Sequence, residues 1–323
     1  MSNESSSSNA IIAMRLVEKY LYQFGCPILM LIGTISCILN LIIFTQKTLR
    51  KNPCSLYFIG YNLANFLYIY SSLLSLTLGV GYNIDPSAYN LIICRLRLYT
   101  VILFNCLSPF YMILASIDRI LITSPNALTR KRSNRRLAYI CILVGTCFWM
   151  VFHSHALIST NIIQLAPNYF LCYFSPGVYF VFVSYYSIMK EIVALLLLTI
   201  FGLWSIKNIR SMRRVRAAPD ISLSGTAVGD NAYSTSSKDR QLVLMLLMDI
   251  TIYGLFSFMY AIFLMYQQIT QNAIKNAEQI EMESIIQYLC LFGIGIPFCT
   301  GCYTNLIVSK TFRHEVKKVF TWT

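Results

Sequence analysis

Asp118 and Arg119 stand side by side near the end of an apolar run, CRLRLYTVILFNCLSPFYMILASIDRILITSP, which opens at Cys94 and closes at Pro125. The uncharged stretch 98–117 has about the 20 residues that cross a bilayer's hydrocarbon core. A guanidinium at the edge of such a stretch stays charged and needs an acceptor. Asp118 is adjacent, and Asp239, heading a later apolar segment, offers a second carboxylate. An Arg119–Asp239 pair would hold two segments together, and breaking it would let them part: a two-state element. The plainer reading is a salt bridge that only anchors two helices. Other ionisable groups lie deeper, where a charge demands a reason. Asp249 follows Asp239 by ten residues, about 15 Å along a helix, and so falls inside the bundle or is neutral. Lys190 and Glu191 are neighbours in mid-segment. His153 and His155, two apart, project to nearly opposite sides of a helix and cannot share one metal ion.

These groups sit in a chain of 323 residues that is 56% hydrophobic and 12% charged, too little polar surface for a particle in water. Seven apolar segments, roughly 22–46, 54–80, 91–122, 137–160, 177–209, 240–268 and 282–308, are each long enough to span a bilayer. No strand-like alternation competes with them. The expected fold is all-α, a seven-transmembrane helix bundle. The formal net charge of +13 would in isolation fit nucleic-acid binding. Its placement says otherwise, because connections 47–53, 123–136 and 207–240, the stretch after 309 and Arg119 hold 20 of the 26 Lys and Arg residues. All lie on one face of the bundle. The positive-inside rule makes that face cytoplasmic and the N-terminus extracellular, and an odd number of spans puts the C-terminus inside. Anionic inner-leaflet lipid, not nucleic acid, is the partner these charges imply.

Residues 1–21 open MSNESSSSN, lack the basic and apolar regions of a cleaved signal peptide, and read as a short extracellular tail. Asn3 heads a glycosylation sequon, usable only if that tail is outside. Around the Gly/Ser/Thr-rich stretch 217–238, a flexible cytoplasmic loop is expected at about 210–239, either a plain linker or a carrier of phosphorylated hydroxyls. Beyond the bundle, taken as 22–308, residues 309–323 carry Phe312, Val316, Val319 and Phe320 on one helical face. That is a short amphipathic helix suited to the inner membrane surface. Of the 11 cysteines most lie within spans, where a thiol is a small apolar group, and none has zinc spacing. Neither metal nor other cofactor is expected. Cys94 and Cys172 both fall at extracellular ends, an oxidising side, and a disulfide between them is expected.

Taken together, these residues resemble a rhodopsin-like (class A) G protein-coupled receptor. The resemblance rests on seven spans, a Cys heading span three with a loop Cys as its partner, and the spacing from Cys94 to Arg119. Asp118-Arg119-Ile120 matches the family's Asp-Arg-Tyr motif at two of three positions. Asn40 resembles its span-one Asn, Trp149 its span-four Trp, and Lys310-Thr311-Phe312-Arg313 the start of its short eighth helix. Asn65 aligns with its sodium-binding Asp. Elsewhere the pattern is lost: Ser257 and Met259 stand where a Cys-Trp-x-Pro motif has Trp and Pro, span five has no interior proline, and GIPFCTGCYTN replaces Asn-Pro-x-x-Tyr. Tyr303 and Asn305 are the nearest candidates there. The resemblance implies a switch at Asp118, Arg119, Ile120 and Asp239, and a heterotrimeric G protein admitted as span six swings out. It also implies an inner polar network of Asn40, Asn65, Asp249 and Asn305, for which a neutral Asp249 bonded to backbone is the alternative.

The resemblance assigns no catalytic residue and no enzymatic role. Val101 stands where an amine receptor of this family has Asp, which argues against biogenic amines, and span seven has no Lys for retinal. Arg97 near the outer mouth, with Val101, His155, Lys190 and Glu191, forms the candidate ligand set at the plasma membrane. Arg95 and Arg97, with Tyr and Phe around them, suit an acidic or amidated peptide, the favoured class, or a lipid carboxylate, the plainer reading being that both only snorkel to headgroups. A seven-span transporter is the alternative, but it would show inverted repeats and helices broken at midplane. A membrane enzyme would need a catalytic cluster that His153 and His155 alone do not make.

Overall fold

The computed structural model describes residues 2–321 except 51, 125, 167–168, 176, 218–228 and 272, and the side chains among these except 2–10, 48, 127, 165–166, 169, 212–217 and 229–239. Seven helices are long and apolar enough to cross a membrane: Ile11–Thr45, Pro53–Gly81, Leu91–Ile122, Arg135–Ile158, Val178–Ser211, Arg240–Ile269 and Ala277–Val308, hereafter spans one to seven. Helix is what a lipid environment leaves open to a single strand of chain, since every backbone N–H and C=O must be satisfied within it.

Asparagine marks where these helices begin. Asn52, Asn90 and Asn134 each accept from backbone N–H groups of the first turn of spans two, three and four. Asn276 forms a reciprocal capping box with Gln279 at the start of span seven. Each satisfies donors that the first turn leaves without a partner. Span three carries Pro109 and span seven Pro297 inside the helix. Wider π-type turns interrupt spans one and two at Leu21–Gly25, Ile69–Leu73 and Thr77–Gly81. Spans one and seven close on each other because Gly33 has no side chain: a Cβ there would lie 2.6 Å from the Cys299 Sγ, the small-residue contact by which helices pack in lipid.

Three features differ from the sequence reading. The segment 1–21, read as a tail, has a helical backbone over Ser2–Tyr20 that continues into span one; the Asn3 side chain lies outside the described residues. Arg15, Glu18 and Lys19 mark where lipid should end rather than where the helix ends, and Arg15 pairs with Glu281 of span seven. The loop expected at about 210–239 from its composition is shortened from both sides, by helices Val178–Ala217 and Gly229–Ile269. Finally, the connection between spans four and five, where no strand was expected, forms an antiparallel hairpin of β1 (Thr160–Ala166) and β2 (Tyr169–Phe174), with Ile162 opposite Cys172.

After span seven, Ser309 caps a short helix, Lys310–Phe320, with Phe312 buried. Gln241, at the start of span six, accepts from the Thr311 N–H at 2.8 Å and the Ser309 hydroxyl at 3.0 Å. The short helix is thereby tied to span six.

Candidate functional site

At the end of the bundle where the basic connections gather, Arg119 is fully buried and Asp118 nearly so. The Arg119 guanidinium donates to Asp118 Oδ2 at 2.8 Å and to Asn52 Oδ1 at 2.7 Å. Asn52 is also the residue that caps span two, so one carboxamide oxygen serves a helix start and a buried cation at once. Ser133, in the connection before span four, donates to Asp118 Oδ1. The Ile120 carbonyl accepts from Asn208 of span five at 3.4 Å. The pair thus links span three with the start of span two and the connection to span four, and the neighbouring Ile120 carbonyl adds span five. The side chain of Asp239, the proposed second carboxylate, lies outside the described residues. Neither Asn52 nor Ser133 emerged from sequence; an Asn-Pro at a helix start was the one available signal for Asn52.

Midway through the bundle, the expected inner network resolves into three pieces. Asn40 donates to Asn62 at 2.8 Å and accepts from Asn305 at 3.2 Å. Asn65 accepts from Ser108 at 2.6 Å. Asp249 accepts from Thr304 at 3.0 Å. All four expected residues are buried, joined by Asn62, one helical turn before Asn65 and missed from sequence. Tyr303 instead donates to the Ile32 carbonyl at 3.2 Å on the exposed side of span seven.

Higher still, Lys190 and Glu191 pair at 2.6 Å, and Tyr253 of span six donates to Glu191 at 3.0 Å. The Glu191 side chain is 1% exposed and that of Lys190 11%, so this ion pair is buried in the bundle. His153 contacts the Trp149 carbonyl and, at 2.8 Å, the Tyr186 hydroxyl; His155 lies 2.8 Å from the Tyr179 hydroxyl. Among the described residues no cluster of His, Cys, Asp or Glu has the makings of a metal site.

At the opposite end from Arg119, Cys94 and Cys172 form a disulfide with Cα atoms 5.5 Å apart. It fastens β2 to the head of span three. Arg95 donates to the Thr160 carbonyl at 3.2 Å; Arg97 pairs with Asp85 at 3.3 Å and donates to Ser87 at 2.7 Å. Residues after Cys172 turn over a cavity of about 270 Å³ between spans five, six and seven, lined by Tyr173, Phe174, Tyr260, Gln268, Lys275 and Glu283 among others. Burial pushes the Tyr173 hydroxyl above its usual range, so it stays a neutral donor. Of the candidate ligand contacts Arg97, Val101, His155, Lys190 and Glu191, none lines this cavity. The signal for it was the QQITQ run, amides closing an apolar segment. Because the disulfide holds the roof, Cys94→Ser or Cys172→Ser is expected to lower stability by about 2–5 kcal/mol. Thermal unfolding of the detergent-solubilised variants measures this, and an unchanged midpoint would contradict it.

A sequence profile described as 7 transmembrane receptor (rhodopsin family) matches residues 35–303. No curated protein matches the chain.

Proposed function

Since the chain belongs to the rhodopsin family of seven-transmembrane receptors, we propose that it carries an extracellular signal across the plasma membrane to a heterotrimeric G protein. The observation that carries this reading is Arg119, fully buried among Asp118 and Asn52 at the basic end of the bundle. A charge held there by polar partners, not by lipid headgroups, is suited to changing partners. The basic end is cytoplasmic and the hairpin end extracellular on the positive-inside rule, which places the cavity on the ligand's side and the Arg119 cluster on the G protein's. The Lys310–Phe320 helix lies on the inner leaflet. The ligand is peptide-like, and the family role gives no place to catalysis.

In this reading Asp239 completes the switch: a carboxylate there that pairs with Arg119 would hold spans three and six together, and outward movement of span six would break the pair. Asp239→Ala is therefore expected to raise ligand-free G protein activation several-fold, as loss of one charge-assisted hydrogen bond biases a two-state balance. Cells expressing wild type and variant, matched for surface level through an N-terminal tag, provide the comparison. If both are silent with every G protein class at full surface expression, the receptor reading fails, and flux across vesicle membranes becomes the next assay.

A further inference from the structure

The cavity beneath the hairpin is lined by four carboxamides: Gln267, Gln268 and Gln271 from the outer end of span six and its connection, and Gln287 from span seven. Gln267 and Gln268 lie in the last turn of span six, and Gln271 follows in the turn just beyond it. The Gln268 Oε1 is buried and has no hydrogen-bond partner among the described residues. A buried carbonyl in that state is destabilising until something donates to it.

The charges at the cavity's rim are already matched. Lys275 holds Glu283 at 2.6 Å and donates to Thr270 at 2.9 Å. Glu283 also accepts from Tyr266 at 2.9 Å. A carboxylate entering here meets an ammonium already neutralised, and an amine meets a carboxylate already spoken for. Either would be desolvated without a counter-charge, which is strongly unfavourable. An uncharged group with both donors and acceptors meets the reverse situation, since each carboxamide presents two N–H donors and an acceptor oxygen.

Much of the remaining wall is aromatic and aliphatic, Tyr173, Phe174, Phe180, Tyr260, Val183 and Leu264, and the two serines there, Ser184 and Ser187, donate to carbonyls of their own helix. The volume, about 270 Å³, lies just below the roughly 300–1,000 Å³ usual for ligand pockets. It suits the end of a ligand rather than its whole length. We propose that this cavity binds the amidated C-terminus of a peptide, the terminal carboxamide donating to Gln268 and the last side chain packing against the aromatic wall. This rests on the receptor reading and names the ligand class for it.

The probes are short peptides with varied last three residues, each made as the C-terminal amide and as the free acid. They are tested for thermal stabilisation of the full chain in lipid nanodiscs, with competition binding on the best of them. The expected result is that some amides stabilise the protein and that their matching acids bind at least about tenfold more weakly, the loss for one desolvated unmatched group. Gln268→Leu should weaken the amide by a similar factor while leaving unliganded stability equal or higher, because it removes an unmatched buried carbonyl. Folding failure is thereby separated from lost recognition. Equal or better binding of the acids overturns the inference, as does a library in which no amide stabilises the chain. Amide binding by a chain that is silent with every G protein class, as wild type and as Asp239→Ala, supports this site while sinking the receptor reading; acids that activate G protein do the opposite.

Discussion

Arg119→Ala, present at the cell surface at the wild-type level, is expected to bring G protein activation down to background, at least about tenfold below wild type. It is also expected to abolish any rise produced by Asp239→Ala. The guanidinium is fully buried and its hydrogen bonds reach Asp118 and Asn52. Alanine therefore removes the charge that changes partners and leaves Asp118 with Ser133 as its remaining side-chain donor shown here. Hydrogen bonds to charged groups are each worth roughly 1.5–3 kcal/mol, enough to shift a two-state balance by tenfold or more. Asp118→Asn acts in the other direction. It keeps the shape, weakens the hold on Arg119 and should raise ligand-free activation. An Arg119→Ala variant that signals like wild type would remove this cluster from the mechanism, and lowered basal activity in Asp118→Asn would reverse the sign assigned to it.

The second large effect belongs to the ion pair in mid-membrane. Removing one partner of a buried pair leaves the other charge uncompensated, at roughly 3–5 kcal/mol. Glu191→Leu strands the Lys190 ammonium and removes the acceptor of Tyr253; Lys190→Met strands the Glu191 carboxylate. Each single variant is expected to unfold well below wild type or to be retained inside the cell. Lys190→Met combined with Glu191→Leu should recover much of the loss, because an apolar pair of similar size suits this site. Melting temperatures of the solubilised proteins give the comparison. Additive losses in the double variant would mean that the two side chains act independently.

The architecture was readable because lipid imposes a length. Spans two to six agree with the apolar runs to within two residues at each end. The disulfide was readable because Cys94, heading span three, and Cys172, in a loop, both fell at ends opposite the basic connections. Reading failed where polarity and helix termination come apart. Arg15, Glu18 and Lys19 sit on a helix that runs on past them, and Arg15 pairs with Glu281 of span seven. It also failed where partners are distant in sequence. Asn52 lies 67 positions from Arg119 and Asn62 22 from Asn40, and no periodicity reports such a meeting. The hairpin was hidden for a different reason: β1 and β2 are held against each other by backbone pairing and β2 against span three by the disulfide, while their short apolar runs read equally well as the edges of helices.

The bond from Gln241 to the start of the Lys310–Phe320 helix gives that helix a second role. Its first turn draws on Gln241 of another helix for the Thr311 N–H and on Ser309 for the Phe312 N–H that follows. Any displacement of span six takes the Gln241 acceptor with it, so the Thr311 amide loses its protection and the helix frays from its beginning. Amide hydrogen exchange at Thr311 then becomes a clock for the position of span six, read from a surface helix without a ligand, a label or a G protein.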